Sequence, residues 1–376
     1  MYTVIFEKNN ILCYNIAVFN ELRGVHMNQS LKKDLEELLK RFKRLKSEKD
    51  KLHFANDLAN LIDTAGFAVN FNVKKQIPGE VAFLLKSLDE ALNTERSNIK
   101  DQIYDNLDNL EKIYESFLNV YDKYNFSYST SEDKGVIDLD DFHDFFKQYG
   151  NMDESFRKIR NEGNLFIIEG QNIAFTVNFR VLDKQYIFIS TDNYSNTMSS
   201  LTHEMGHVYA NNIYYNDKID DFHILVEFMS FLIQLSFTDH KLCPNGNQSK
   251  ISLMAITGEL VRQSLAQIKL MKRHPDAFTP HKVNPKYQSE LDSLCNPFYD
   301  FERYTLYSQL YAINYLIAIN YYYQLKYGLD FNEVEKFYIE NLNKNDLSSL
   351  LQNIDLDACY QLLNEIHVNK PKKRII

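Results

Sequence analysis

The sequence predicts a mainly α-helical protein. A helical N-terminal lobe covers residues 27–150, and a second helical lobe, residues 151–376, carries a small antiparallel β-sheet. Three observations predict this. Gly (11) and Pro (7) are scarce in 376 residues, so little interrupts a helix. Apolar residues recur at three- and four-residue spacing, with charged residues between them. Between Asn164 and Ser190 that spacing is replaced by short runs of β-branched and aromatic residues separated by turn formers.

The elements follow in order. Leu31, Leu35, Leu38, Leu39, Phe42 and Leu45 mark a first helix, with Ser30 as its cap. A second covers roughly 51–64. A third runs from about Pro78, whose missing N–H costs nothing in a first turn, to Leu92. A long helix then buries Ile99, Ile103, Leu107, Leu110, Ile113, Phe117 and Tyr121. Strands are expected at Leu165–Ile168, Ile173–Val177 and Gln185–Ser190. Helices resume near Asn196 and dominate to the end. The irregular connection of the second half is expected from Arg273 to Tyr287, which holds three prolines.

Composition excludes several function classes. The net charge is −9, from 42 basic and 51 acidic residues, which argues against nucleic acid as a partner. The basic cluster Lys370–Arg374 reads as a solvated end. Cys13, Cys243, Cys295 and Cys359 are widely spaced, with no CxxC pair. That fits a reducing, cytoplasmic setting rather than a disulfide framework or a cysteine-type zinc site. No apolar run approaches the length of a membrane span. The weak apolar stretch Ile11–Phe19 has no small-residue cleavage site after it, so no signal peptide is expected. Met27 is an alternative start, because the strong helical pattern begins just after it.

The segment Thr202-His203-Glu204-Met205-Gly206-His207 carries the chemistry. Residues four apart share a helix face, so both imidazoles reach one metal ion, and imidazole suits zinc. Glu204 falls beside the pair without having to be a ligand, and is placed to take a proton from a metal-bound water. Gly206 costs about 1 kcal/mol against Ala within a helix, which points to close approach of another backbone. A catalytic zinc needs a third protein ligand. No third His follows in the HxxGxxH spacing. Glu227 is a lone carboxylate in the apolar run Ile224–Leu232, costly to bury unless paired or metal-bound. His223, one turn earlier, competes with it, and Glu227 also reads as a surface residue beside an apolar helix face.

These residues resemble the oligoendopeptidase F and thimet oligopeptidase family of zinc metallopeptidases. The strand Lys184–Ser190, the loop Asn193–Met198 and the helix with His203-Glu204-Met205-Gly206-His207 match its strand-loop-HExGH order. Glu227-Phe228-Met229-Ser230 looks like its ExxS motif, which implies Glu227 as third ligand. Tyr304, Tyr307 and Tyr311 look like its tyrosine-rich helix. The resemblance covers roughly residues 160–330. It implies a zincin-like catalytic lobe, one Zn2+ per chain, and short unstructured peptides as substrates, lying along an edge strand near Gln185–Ser190. It also implies Tyr304 or Tyr307 as oxyanion donor, with Tyr311 and Tyr299 in reserve. Three departures stand out. No His precedes the tyrosines, where Cys295, Asn296 and Phe301 stand. Gln234 replaces a Glu seven residues after the ligand Glu. The N-terminal half is short. The departures leave room for a protease with one dedicated target, such as a toxin, or a metal-binding protein without turnover.

Overall fold

The computed structural model describes residues 44–68, 79–124, 126, 138–169, 174–191, 194–214, 223–243, 245–275, 278–279, 282–287 and 301–368, with 33, 37, 38, 40 and 41 before them. The first predicted helix lies largely outside the described residues, as do Cys13, Cys295, Asn296 and the basic end.

The molecule is mainly helical with a small three-stranded sheet, in keeping with the sparse Gly and Pro content. Helices α1 (Glu48–Ala68), α2 (Gly79–Asp105) and α3 (Leu107–Tyr121) come first. The short α4 (Phe142–Phe146) and α5 (Met152–Asn161) lead into strands β1 (Leu165–Glu169), β2 (Ala174–Phe179) and β3 (Lys184–Thr191). Then come α6 (Tyr194–Ile213), α7 (Phe228–Phe237) and α8 (Gly246–Arg273). A two-stranded ribbon, β4 (Phe278–Thr279) with β5 (Lys282–Val283), falls where the prolines cluster. Helices α9 (Phe301–Lys326), α10 (Phe331–Lys344), α11 (Leu347–Leu351) and α12 (Leu356–Val368) complete the described chain. Among the described residues, no helix is long and apolar enough to cross a membrane.

The sheet departs from the expected antiparallel one. Its order is β1-β3-β2, and it is mixed: β3 pairs parallel with β1 and antiparallel with β2. Strand β3 inserts between the two strands that precede it. It is therefore central, with both of its edges used, and among the described residues β1 and β2 are the edge strands. The period-2 alternation decides the faces. Tyr186 and Phe188 point to one side, where Phe188 stacks between Phe166 of β1 and Phe175 of β2. Ile187 and Ile189 point to the other side and join the main core with Met198, Leu201 and Met205 of α6.

Helix α1 is tied to the β2–β3 turn by a buried ionic group. The carboxylate of Asp57 accepts from the backbone N–H groups of Arg180 (3.0 Å) and Val181 (2.6 Å). A carboxylate without access to water needs such donors. One apolar core runs from Ile99 to Ile366. Buried polar links fix its helices in register: Tyr114 on α3 donates to Gln309 on α9 (3.1 Å), and Ser308 on α9 donates to Gln267 on α8 (2.8 Å).

Candidate metal centre

Helix α6 presents His203 and His207 on one face, one turn apart. Their rings meet edge to face with centroids 5.0 Å apart. That spacing is a consequence of the helix repeat. The chain comes back to the same face further on. Residues 223–227 form a turn, and α7 begins at Phe228 with Glu227 as its N-cap residue. Glu227 therefore stands at the helix end rather than inside a helix, as its apolar run had suggested. Its side chain makes no capping hydrogen bond. It turns toward α6 instead, where Oε2 lies 3.2 Å from His203 Nε2 and 3.3 Å from His207 Nε2.

The close approach of the two helices makes this possible. A Cβ on Gly206 would stand 2.8 Å from Ser230 N and 3.0 Å from Met229 O, and closer still to Ser230 Cα. The backbone of α7 thus fills the space that any other side chain at 206 would occupy. Along α7, Glu227, Ser230 and Gln234 fall at helical spacing on the side facing α6. One stripe therefore supplies the carboxylate, the contact with Gly206 and a polar group further along.

The three donor atoms fit a zinc ion. Ligand atoms about 2.0–2.1 Å from a common tetrahedral centre stand about 3.3 Å apart, and each imidazole nitrogen stands at that separation from the carboxylate oxygen, with all three donor atoms within 4.8 Å of one another. A direct charge-assisted hydrogen bond between imidazolium and carboxylate is shorter, about 2.7–2.9 Å. Two imidazole nitrogens and one carboxylate oxygen also form a donor set suited to zinc. Among the described residues, no other group of three His, Cys, Asp or Glu side chains converges in this way.

Around the three lie Gln234, which the sequence marked as a departure from the family pattern, and Thr176 and Asn314, to which sequence reasoning assigned no role in the site. Gln234 Oε1 is 3.1 Å from His203 Nδ1, and Gln234 Nε2 donates to Ser199 Oγ at 2.9 Å. Thr176, on the edge strand β2, donates to Glu204 Oε2 at 2.8 Å and to the Glu204 carbonyl at 3.1 Å. Glu204 is 1% exposed, so this hydroxyl reaches an almost fully buried carboxylate. Asn314 of α9, fully buried, donates to the Ile224 carbonyl at 2.6 Å and so braces the turn that delivers Glu227. Its signal was legible, a lone amide in the apolar run Leu310–Ile319. Thr176 had no comparable signal, because a threonine is an ordinary residue in a strand.

His223 stands apart from the three donors. Its ring meets Tyr338 edge to face, and the Tyr338 hydroxyl lies 3.4 Å from His223 Nε2. Tyr304 and Tyr307 fall in the first two turns of α9, but their side chains lie outside the described residues, and Tyr299 is outside them altogether. Tyr311 and Tyr315, further along α9, are buried behind the histidines: Phe231 touches His203 on one side, and Tyr311 and Tyr315 pack on it as well. Burial foremost, and then the charge of Glu227, push the Tyr315 phenol up, so it stays protonated.

No family model matches the chain, and no curated protein matches it. Two solved structures are similar to it. One is a Pz peptidase A with an inhibitor, at 12% identity and TM-score 0.44, over 71% of this chain and 58% of that one. The chain thus spans less than two thirds of that peptidase's length. The other is a protein described as an oligoendopeptidase F from Bacillus anthracis str. Ames, at 12% identity and TM-score 0.48, over 90% of this chain and 75% of that one. At these identities and TM-scores neither likeness assigns a function.

Proposed function

We propose that this chain is a zinc-dependent peptidase acting on short, unstructured peptides, with His203, His207 and Glu227 holding one Zn2+ and Glu204 as general base. The observation that carries the reading is the convergence of two imidazoles on a buried carboxylate, each nitrogen at a tetrahedral-edge separation from its oxygen, with Glu204 on the same helix as both histidines. When bound, zinc supplies Lewis-acid chemistry, polarising the scissile carbonyl and lowering the pKa of a water.

Glu204 takes a proton from that water as its oxygen adds to the carbonyl carbon. It then returns the proton to the leaving nitrogen as the C–N bond breaks. The Thr176 hydroxyl holds the carboxylate in place through Oε2. Tyr304 or Tyr307, by the resemblance, donates to the oxyanion. The substrate adds as a strand to an exposed sheet edge. Strand β3 is central and offers no edge, so the placement expected along Gln185–Ser190 gives way to β2, the edge strand whose Thr176 reaches the base.

A mixed short-peptide library, read by mass spectrometry, is cleaved by the zinc-loaded protein, left intact after chelation and cleaved again when zinc returns. Failure to take up zinc removes the metal centre. Inertness with one zinc bound moves the reading to a single dedicated substrate or to a binding protein without turnover. Separately, Thr176→Val lowers kcat about 10- to 150-fold with KM unchanged, the size expected for one hydrogen bond to a charged group. Thr176→Ser keeps kcat near wild type. Equal kcat in all three proteins would remove Thr176 from the mechanism.

A further inference from the structure

We propose that Gln234 is the positioning residue for His203: its amide sets which imidazole nitrogen carries the proton, and with its oxygen toward Nδ1 it holds the tautomer that can bind a metal. This rests on the zinc reading above. Helix α7 packs closely on α6 at Gly206, which brings Gln234 within reach of His203. It bridges two residues one turn apart on α6, with Oε1 toward His203 Nδ1 and Nε2 toward Ser199 Oγ.

The chemistry follows from the donor inventory of the two groups. With the amide oxygen facing Nδ1, the imidazole carries its proton on Nδ1 and keeps the Nε2 lone pair for the metal. A rotation of the amide by half a turn places its N–H groups at Nδ1. The proton then belongs on Nε2, which faces Glu227 Oε2 at 3.2 Å. That form pairs histidine with glutamate and cannot ligate. The same side chain thus supports a metal-bearing form and a metal-free form, related by one amide rotation. A carboxylate at 234 would only accept, and would support the metal-bearing form alone. The neutral Gln therefore holds the metal-bearing form less firmly than an acidic residue would.

Zinc dissociation constants of the full chain, measured by competition with a chromophoric chelator, test this. Gln234→Leu, similar in volume but without an acceptor, weakens zinc binding by about 10- to 100-fold, the usual cost of losing a partner of a ligating histidine. Gln234→Glu binds zinc at least as tightly as wild type, because its carboxylate still accepts from Nδ1–H. A merely structural role would not distinguish the two replacements in this way. Wild-type affinity in Gln234→Leu, or weakening in Gln234→Glu as large as in Gln234→Leu, overturns the proposal. Should Gln234→Leu fail to fold, Gln234→Glu decides alone: retained or tighter binding supports the proposal, and weaker binding overturns it. Absence of zinc uptake by the wild type would instead defeat the metal centre itself, and this inference with it.

Discussion

Glu204→Gln is expected to lower kcat/KM on peptides by about 10²- to 10⁴-fold while one zinc per chain is retained. That loss corresponds to roughly 3–5 kcal/mol of transition-state stabilisation. The replacement is nearly isosteric, and an amide oxygen still accepts the Thr176 hydroxyl, so the local geometry at this 1% exposed position is kept. What the amide lacks is the capacity to take a proton from water and carry it to the leaving nitrogen. The measurement is peptide hydrolysis alongside metal content. Activity within a few-fold of wild type, at equal zinc, would show that Glu204 is not the base. Loss of zinc together with activity would show that the replacement disturbed the centre and not the proton transfer.

Gly206→Ala is expected to destabilise the protein and to loosen the metal centre in one step. Helix propensity alone favours Ala over Gly by about 1 kcal/mol, so a freely exposed glycine here would be improved by the change. The structure reverses the sign. The added methyl meets the backbone of Met229 and Ser230, with Ser230 N at 2.8 Å, and backbone cannot swing aside as a long side chain does. Overpacking of this kind costs about 1–3 kcal/mol, occasionally more, and outweighs the propensity gain. Relief requires α7 to retreat from α6, which draws Glu227 away from His203 and His207. Urea unfolding and zinc affinity check both halves. Higher stability with unchanged zinc affinity would mean that the two helices are not held as closely as described.

The strands and most helices were legible because their signals are local. The short β-branched and aromatic runs at Leu165–Ile168 and Gln185–Ser190 and the apolar spacing from Ile99 to Tyr121 each lie within a few turns of chain, and strands and helices formed there, but the helix bounds moved: α2 runs unbroken from Gly79 to Asp105, through the expected gap after Leu92, and the expected long helix is broken at Asn106. Strand order was not legible. Three short apolar strands in succession pair equally well as a meander, and insertion of β3 between β1 and β2 depends on how α6 covers Ile187 and Ile189. Gly206 was readable as a point of close approach, since a glycine inside a good helix has few other reasons to be there. Its partner, the backbone at Ser230, was not.

The pairing of His203 with His207 and the position of Glu204 beside them follow from the helix repeat, so they were determined as soon as that segment was helical. Glu227 was read ahead of His223 from its lone carboxylate and the ExxS likeness, but the chain could not show where either side chain goes. Packing does: the turn at 223–227, braced by Asn314, aims the Glu227 carboxylate at α6 and leaves His223 against Tyr338. Gln234 was marked by its spacing from Glu227, but its partners were not, and Thr176 was not marked at all. Their contacts span 31 and 28 residues of sequence, and no periodicity within one element encodes which surface another element will bring to it.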